Sequence, residues 1–222
     1  MKTTLQSLLA LSRKTITSVS ILALAALAPA ATAQTIFGLG TITGSNFRNE
    51  PVGSQGLIRI DPATGASNTL APVRITGVAA GQTLVGIDFR PADNLLYALG
   101  YNATTAGNNA QLYILDPGLN TVSPVGSAIR LELGGASERI GFDFNPTVDR
   151  IRVVSTNDAN YRLNPTTGGI AGTDGALNYA GGNPANPGIS TVAYTNSFVG
   201  SVSTTLYDID YLGQGVTFKV WR

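Results

Sequence analysis

The chain has 222 residues with 14 Lys+Arg against 13 Asp+Glu, a formal net charge of +1, 26 Gly, 11 Pro, and neither Cys nor His. The missing cysteines exclude disulfides, a thiol nucleophile and thiolate metal sites, and the missing histidines exclude a Ser-His-Asp triad, an HExxH zinc site and an imidazole base. Any chemistry must come from Asp, Glu, Asn, Arg, Tyr, Ser or Thr.

In chain order, residues 1–33 read as a secretory signal peptide. Lys2, Arg13 and Lys14 form a basic start, Ile21 to Ala28 an apolar stretch, and Ala31-Thr32-Ala33 a small-residue cleavage site. The apolar stretch falls short of the ~20 residues that span a bilayer, so export without a membrane span is expected. Cleavage removes three basic and no acidic residues, leaving 14−3−13 = −2. The basic balance thus belongs to the leader, and without a Lys/Arg run no nucleic-acid partner is expected.

Residues 34–222 are expected to form one all-β domain. A strand-and-turn recurs as Leu57-Ile-Arg-Ile-Asp-Pro62, Leu112-Tyr-Ile-Leu-Asp-Pro117, Asn160-Tyr-Arg-Leu-Asn-Pro165 and Leu206-Tyr-Asp-Ile-Asp-Tyr211. Before two of these copies stands a matching hairpin, Gly86 to Gly100 and Gly141 to Ser155, with Pro and Asp/Asn at the turn. Two hairpins in series give a four-stranded antiparallel meander, one blade of a β-propeller-like array. A period near 50 residues gives about four blades, placed near 35–73, 84–125, 139–172 and 190–222. The first lacks an opening strand, so a strand from elsewhere is expected to complete it. Alternation places Ile58, Tyr113, Tyr161 and Tyr207, with Ile60, Leu115, Leu163 and Ile209, on a face buried in every copy.

The segments Thr83 to Pro91, Gly141 to Ser155, Tyr161 to Gly168, Asp174 to Ala180 and Thr205 to Asp210 resemble the bacterial exported proteins grouped as domain of unknown function 4394. The resemblance runs from about Thr35 to Asp210 and implies a propeller-like all-β fold and export, with no known activity and hence no catalytic residue. After Asp210 the sequence departs from the family's pattern of further hairpins. That departure marks an apparent C-terminal truncation and an incomplete or open ring.

Two repeat-equivalent acids, Asp88 and Asp143, sit on apolar strands. They either tie each blade to the next through backbone N–H groups or face a channel as ligands. Arg152 stands where Phe37 and Tyr97 stand in other copies, and with Arg150 and Arg162 it could form a patch for a carboxylate or sugar acid. The competing reading pairs it with Asp143 or Asp149. Asp158, Asp174, Asp208 and Asp210 carry the hard oxygens that calcium takes, yet no calcium-loop spacing is present, so no cofactor is expected. Asn178, Tyr179, Tyr194 and Asn196 offer stacking and hydrogen bonds to a glycan.

The leading expectation is a non-enzymatic exported binding or structural module of the periplasm or cell exterior, with a protein or glycan ligand. The alternative is a propeller hydrolase of lactonase type using a divalent cation. It requires three or more of Asp88, Asp143, Asp158, Asp174 and Asp208 to converge.

Overall fold

The computed structural model describes residues 35–44, 50–67, 74–179 and 186–212 and the strand Thr217–Trp221. The leader expected over 1–33, parts of the first repeat and most of the Gly181 to Gly188 loop lie outside the described residues. Among the described residues the chain is all-β, with no helix. No helix among them is long and apolar enough to cross a membrane.

The strands form four antiparallel sheets in chain order. Sheet 1 pairs β1 (Ile36–Thr41) with β2 (Gln55–Ile60). Sheet 2 is the meander β3 (Thr83–Phe89), β4 (Leu96–Tyr101), β5 (Ala110–Asp116) and β6 (Thr121–Ile129). Sheet 3 repeats that order with β7 (Ile140–Asn145), β8 (Arg150–Ser155), β9 (Asn160–Leu163) and β10 (Ile170–Thr173). Sheet 4 holds β11 (Ile189–Tyr194), β12 (Leu206–Asp210) and β13 (Thr217–Trp221).

The recurring Asp/Asn builds the turn that follows each copy. The side chain of Asp61 accepts from the N–H of Ala63 at 2.9 Å, that of Asp116 from Gly118 at 2.7 Å, and that of Asn164 from Thr166 at 2.9 Å. Each mimics a backbone turn and lets Pro follow directly. Asp210 accepts from Leu212 N–H at 3.2 Å in the same way, but it is buried and also takes Gly188 N–H at 2.9 Å and the Tyr179 hydroxyl.

That difference exposes an error in the four-copy alignment. The first three copies are β2, β5 and β9, whereas the fourth is β12, which pairs directly with the first strand of its sheet. It therefore occupies the place of β4 and β8. Register fixes the match: Asp88 lies opposite Tyr97, Asp143 opposite Arg152 and Ala193 opposite Tyr207. The expectation that Tyr207 shares a buried face with Tyr113 fails for this reason. Tyr207 is 39% exposed and Asp208 beside it only 2%, while Tyr113 is 2% exposed.

The first strands stand side by side, β3 against β7 and β7 against β11. Apolar side chains fill the boundaries unevenly. Eight buried residues, including Leu57, Leu84, Tyr113 and Leu115, form the cluster where sheets 1 and 2 meet. Twelve, including Tyr97, Leu112, Phe142, Phe144 and Leu163, join sheets 2 and 3. Among the described residues only Val154, Ile189 and Val192 form the cluster between sheets 3 and 4. Burial stabilises by about 25 cal/mol per Å², so the third boundary is held least by its core.

Polar ties supplement the packing. Arg90 on the β3–β4 turn grips both oxygens of Asp149 on the β7–β8 turn, at 2.8 and 2.5 Å, and reaches Asp93 at 2.7 Å. Arg90→Lys keeps the charge but loses the fork, and because Asp149 is partly exposed the expected cost is about 1 kcal/mol. A thermal melt should register a fall of about 2–4 °C.

Candidate functional site

Asp88 and Asp143 act between sheets. Asp88 Oδ2 accepts from Phe144 N–H on β7 at 2.8 Å, and Asp143 Oδ2 accepts from Tyr194 N–H on β11 at 2.6 Å. The two carboxyls also hydrogen-bond each other. Burial, and next the charge of Asp88, push Asp143 up to about 8, so it carries the pair's proton at neutral pH. Burial raises Asp88 as well, opposed by its backbone donors Phe144 and Phe89. Ala193 replaces the acid on β11, and the row of ties ends there.

A second row crosses the same boundaries. Phe37 of sheet 1 meets Phe89 of sheet 2 edge-on, with ring centroids 5.4 Å apart, and Tyr97 of sheet 2 meets Phe144 of sheet 3 at 5.2 Å. At the third boundary the corresponding residues are Arg152 and Tyr194, joined by a long contact of 3.4 Å from Arg152 Nε to the tyrosine hydroxyl. Asp208, across the gap on β12, stands where β4 and β8 carry Ala98 and Val153. Two apolar positions have thus become an arginine and an aspartate facing one boundary.

Both line a cavity of about 260 Å³, with Val154, Leu177 and Leu206 as its apolar wall and Asn160, Asp174 and Asn178 at its polar side. Arg152 Nη1 donates to Asn160 Oδ1 at 2.6 Å and to Asp174 Oδ2 at 2.5 Å. Arg162 grips the same carboxylate, with Nη2 to Oδ1 at 2.7 Å. Burial opposes the charge on Arg152, but Tyr194 and Asp174 outweigh it and raise its pKa. Burial likewise works against charge on Asp174, and the hydrogen bonds from Arg162 and Arg152 overcome it, holding the carboxylate below its ordinary range. A larger opening of about 440 Å³ lies along residues 52–55 and 74–83, but its walls are mostly small residues, with Arg74 the one charged group among the described residues.

A family model described as Domain of unknown function (DUF4394) matches residues 56–219, most of the chain. The chain belongs to the DUF4394 family. A search of curated proteins finds no match. Membership in DUF4394 brings no activity with it, so the site in this DUF4394 chain has to be read from its own geometry.

Of the four site residues picked from the sequence, Arg152 and Arg162 meet at one carboxylate. Asp88 and Asp143 lie between the first strands; Asp143 is the cross-strand neighbour of Arg152 but bonds Asp88 and Tyr194 N–H, not the arginine. The ion-pair partner of Arg152 is Asp174, neither Asp143 nor Asp149: Asp143 is occupied by Asp88 and Tyr194, and Asp149 by Arg90. Arg150 turns away to the carbonyls of Asp149 and Val148. Tyr179 bonds Asp210, and Asn196 closes the β11–β12 loop onto Ser203 C=O at 2.9 Å. Among the described residues no three acidic side chains gather where they could hold a metal ion. Asn160 escaped the sequence reading although it breaks a column, standing where the third strands β2 and β5 carry Leu57 and Leu112.

Proposed function

We propose that this DUF4394 chain is an exported, propeller-like binding module whose ligand enters the cavity between sheets 3 and 4. The observation that carries the reading is the paired substitution at that boundary. Aromatic packing closes the first two boundaries, whereas the third places Arg152 and Asp208 on the wall of a 260 Å³ cavity. Where the other two boundaries pack ring against ring, this one leaves a concave space lined by a few placed polar groups and an apolar wall, the setting in which small ligands bind. The blade count of about four, an open ring, removal of residues 1–33 and release into the periplasm or exterior belong to the same proposal. They rest on the repeat spacing and on the basic, apolar and small-residue regions that follow one another in the sequence of residues 1–33.

A divalent-cation hydrolase is the weaker reading, because the acids it needs are dispersed. Asp88 and Asp143 serve backbone donors, Asp174 serves two arginines, and Asp158 Oδ2 takes Asn186.

The test is a thermal-shift screen of small metabolites on the purified protein beside an Ala176→Trp variant. Ala176 lines the cavity and is exposed, so a tryptophan there fills the space with little effect on folding. A ligand at 100 times its Kd stabilises by about 2.7 kcal/mol, a melting shift of several degrees, and the shift should vanish in the variant. Ligands that shift both proteins equally, or none that shift either, defeat the proposal. Calcium against chelator should leave the melt unchanged, and a mature mass beginning at Gln34 in the exported fraction checks the leader.

A further inference from the structure

We infer that the loop between β11 and β12 docks the protein on a phospholipid bilayer, with Phe198, Val199 and Val202 entering the interface and Arg150 meeting lipid phosphate. This surface is separate from the cavity and does not depend on it. The β11–β12 connection runs over residues 195–205, whereas the equivalent turns of sheets 2 and 3 take only residues 90–95 and 146–149. The longer loop carries no charged residue. Three large apolar side chains stand in water within it, Phe198 at 57%, Val199 at 72% and Val202 at 95% exposure. Single exposed apolar residues are ordinary, but three within residues 198–202 mark a contact surface.

The loop holds these side chains outward by its own hydrogen bonds. Thr195 N–H donates to Thr205 C=O at 3.0 Å, Thr205 N–H to Thr195 Oγ1 at 2.9 Å and Thr204 Oγ1 to Thr195 C=O at 2.6 Å, which closes the base. Ser201 is buried, its N–H donating to Phe198 C=O at 3.3 Å and its hydroxyl to Ser203 C=O at 2.9 Å. Asn196 and Gly200 take left-handed backbone, at φ 56° and 81°. A loop tied in this way presents its apolar tip before any partner arrives, which lowers the entropic cost of docking.

The neighbouring turns identify the partner. The Arg90–Asp149 ion pair sets the β3–β4 and β7–β8 turns side by side, and Asp143, near the end of β7, accepts from Tyr194 N–H where the loop begins. All three connections therefore open at one end of the array. Leu95 and Val148 stand exposed on the two shorter turns. Apolar tips on three separate elements suit a medium that takes up each without set geometry, because hydrophobic transfer is non-directional and scales with the area removed from water. Arg150, next to Val148, uses only Nη1, on the carbonyls of Asp149 and Val148 at 2.7 and 3.5 Å. Among the described residues its Nε and Nη2 donors have no acceptor. A free planar donor pair beside apolar tips fits a phosphate oxygen pair at headgroup depth. Arg90 is matched by Asp93 and Asp149, and Asp61 and Asp116 occupy the turns after β2 and β5 at the same end. This end is thus no basic patch, and its apolar tips dominate.

The experiment is co-sedimentation of the full purified protein with vesicles of phosphatidylcholine alone and of phosphatidylethanolamine mixed with phosphatidylglycerol. The protein is expected to sediment with both and to stay bound at about 0.5 M salt, where ionic attraction is screened within a few ångströms. Val202→Asp and Phe198→Ser should each lower the partition at least about tenfold, and Arg150→Gln about threefold. Val202 is nearly fully exposed, so Val202→Asp should melt with the unsubstituted protein, which separates lost binding from lost folding. Residues 1–33 are the same in every variant, so these differences read the loop alone. Lipid bearing bromine on its acyl chains should quench the added fluorescence of Val202→Trp, measured over the single native tryptophan. Ala176→Trp should sediment like the unsubstituted protein, so failure of the cavity leaves this surface standing. Binding to neither vesicle, or binding that Val202→Asp leaves intact, overturns the proposal. Self-association without vesicle binding, abolished by Val202→Asp in sedimentation velocity, gives the loop to a second copy and overturns it too. An unchanged partition in Arg150→Gln overturns the phosphate contact.

Discussion

Asp143→Asn is expected to stabilise the protein at pH 9 and to leave it nearly unchanged at pH 4, although it removes a buried carboxyl that joins three sheets. Asp143 titrates near 8 in the folded chain against 3.8 for the free side chain, because burial and then the charge of Asp88 disfavour its ionised form. Between those values the folded state holds a proton that the unfolded state has released, so stability falls as pH rises. The loss begins near pH 4, ends near pH 8, and runs on the order of 1 kcal/mol per pH unit. Asparagine copies the protonated acid: its oxygen accepts from Tyr194 N–H and its amide donates to Asp88. With nothing to ionise, the variant should lose most of the slope. Denaturant unfolding at pH 4, 6 and 9 reads this directly, and equal destabilisation at all three would refute the shared proton.

The same pair predicts an asymmetry. Asp88 accepts from Phe89 N–H and Phe144 N–H, both at 2.8 Å, and from the proton on Asp143. The substitution Asp88→Asn would turn an amide N–H toward one of these donors. A buried donor left unmet costs about 2 kcal/mol, and no pH restores it. Two acids that look interchangeable in the sequence should therefore respond oppositely to the same substitution.

Period-2 alternation and the Pro-Asp turns made the hairpins of sheets 2 and 3 legible, because local residues alone determine them. The role of Asp88 and Asp143 could also be anticipated, since an acid recurring on apolar strands needs donors that a neighbouring strand supplies. The fourth copy misled for a physical reason. Leu-Tyr-Asp-Ile-Asp satisfies either a second or a third strand locally, and only pairing with β11 selects the second. Once that pairing is known, Asp208 stands out as an acid in an apolar row. The choice of Asp174 as common partner of Arg152 and Arg162 was not legible. It lies 22 and 12 residues away beyond β10, where the bend after the strand, set by Asp174 N–H to Asn160 C=O at 2.8 Å, brings it back across sheet 3. Asn160 was legible, as the polar residue in a column of leucines, yet only the position of Asp174 beside it gives that residue a task.

Gly126→Ala should cost about 3 kcal/mol and lower the melting temperature by about 6–12 °C. Gly126 lies in β6 at φ +65°, and a Cβ there would fall 1.8 Å from the carbonyl oxygen of Thr167 in the β9–β10 turn. The contact is reciprocal: a Cβ on Gly168 would fall 2.1 Å from the carbonyl oxygen of Val125. The outer strand of sheet 2 and the turn of sheet 3 therefore touch backbone to backbone, with no side-chain tip that could swing away. Left-handed backbone costs alanine about 1–2 kcal/mol, and forcing the two sheets apart adds about 1–3 kcal/mol. Gly65 separates the two terms. It occupies the matching turn of the first repeat at φ +67°, yet a Cβ there meets nothing within 4 Å. Gly65→Ala should lose only the conformational part, and the difference between the two variants measures the sheet-to-sheet contact. Because Gly126 and Gly168 guard one contact, their double alanine variant should lose less than the sum of the singles. Strict additivity would mean that the two backbones do not press on each other.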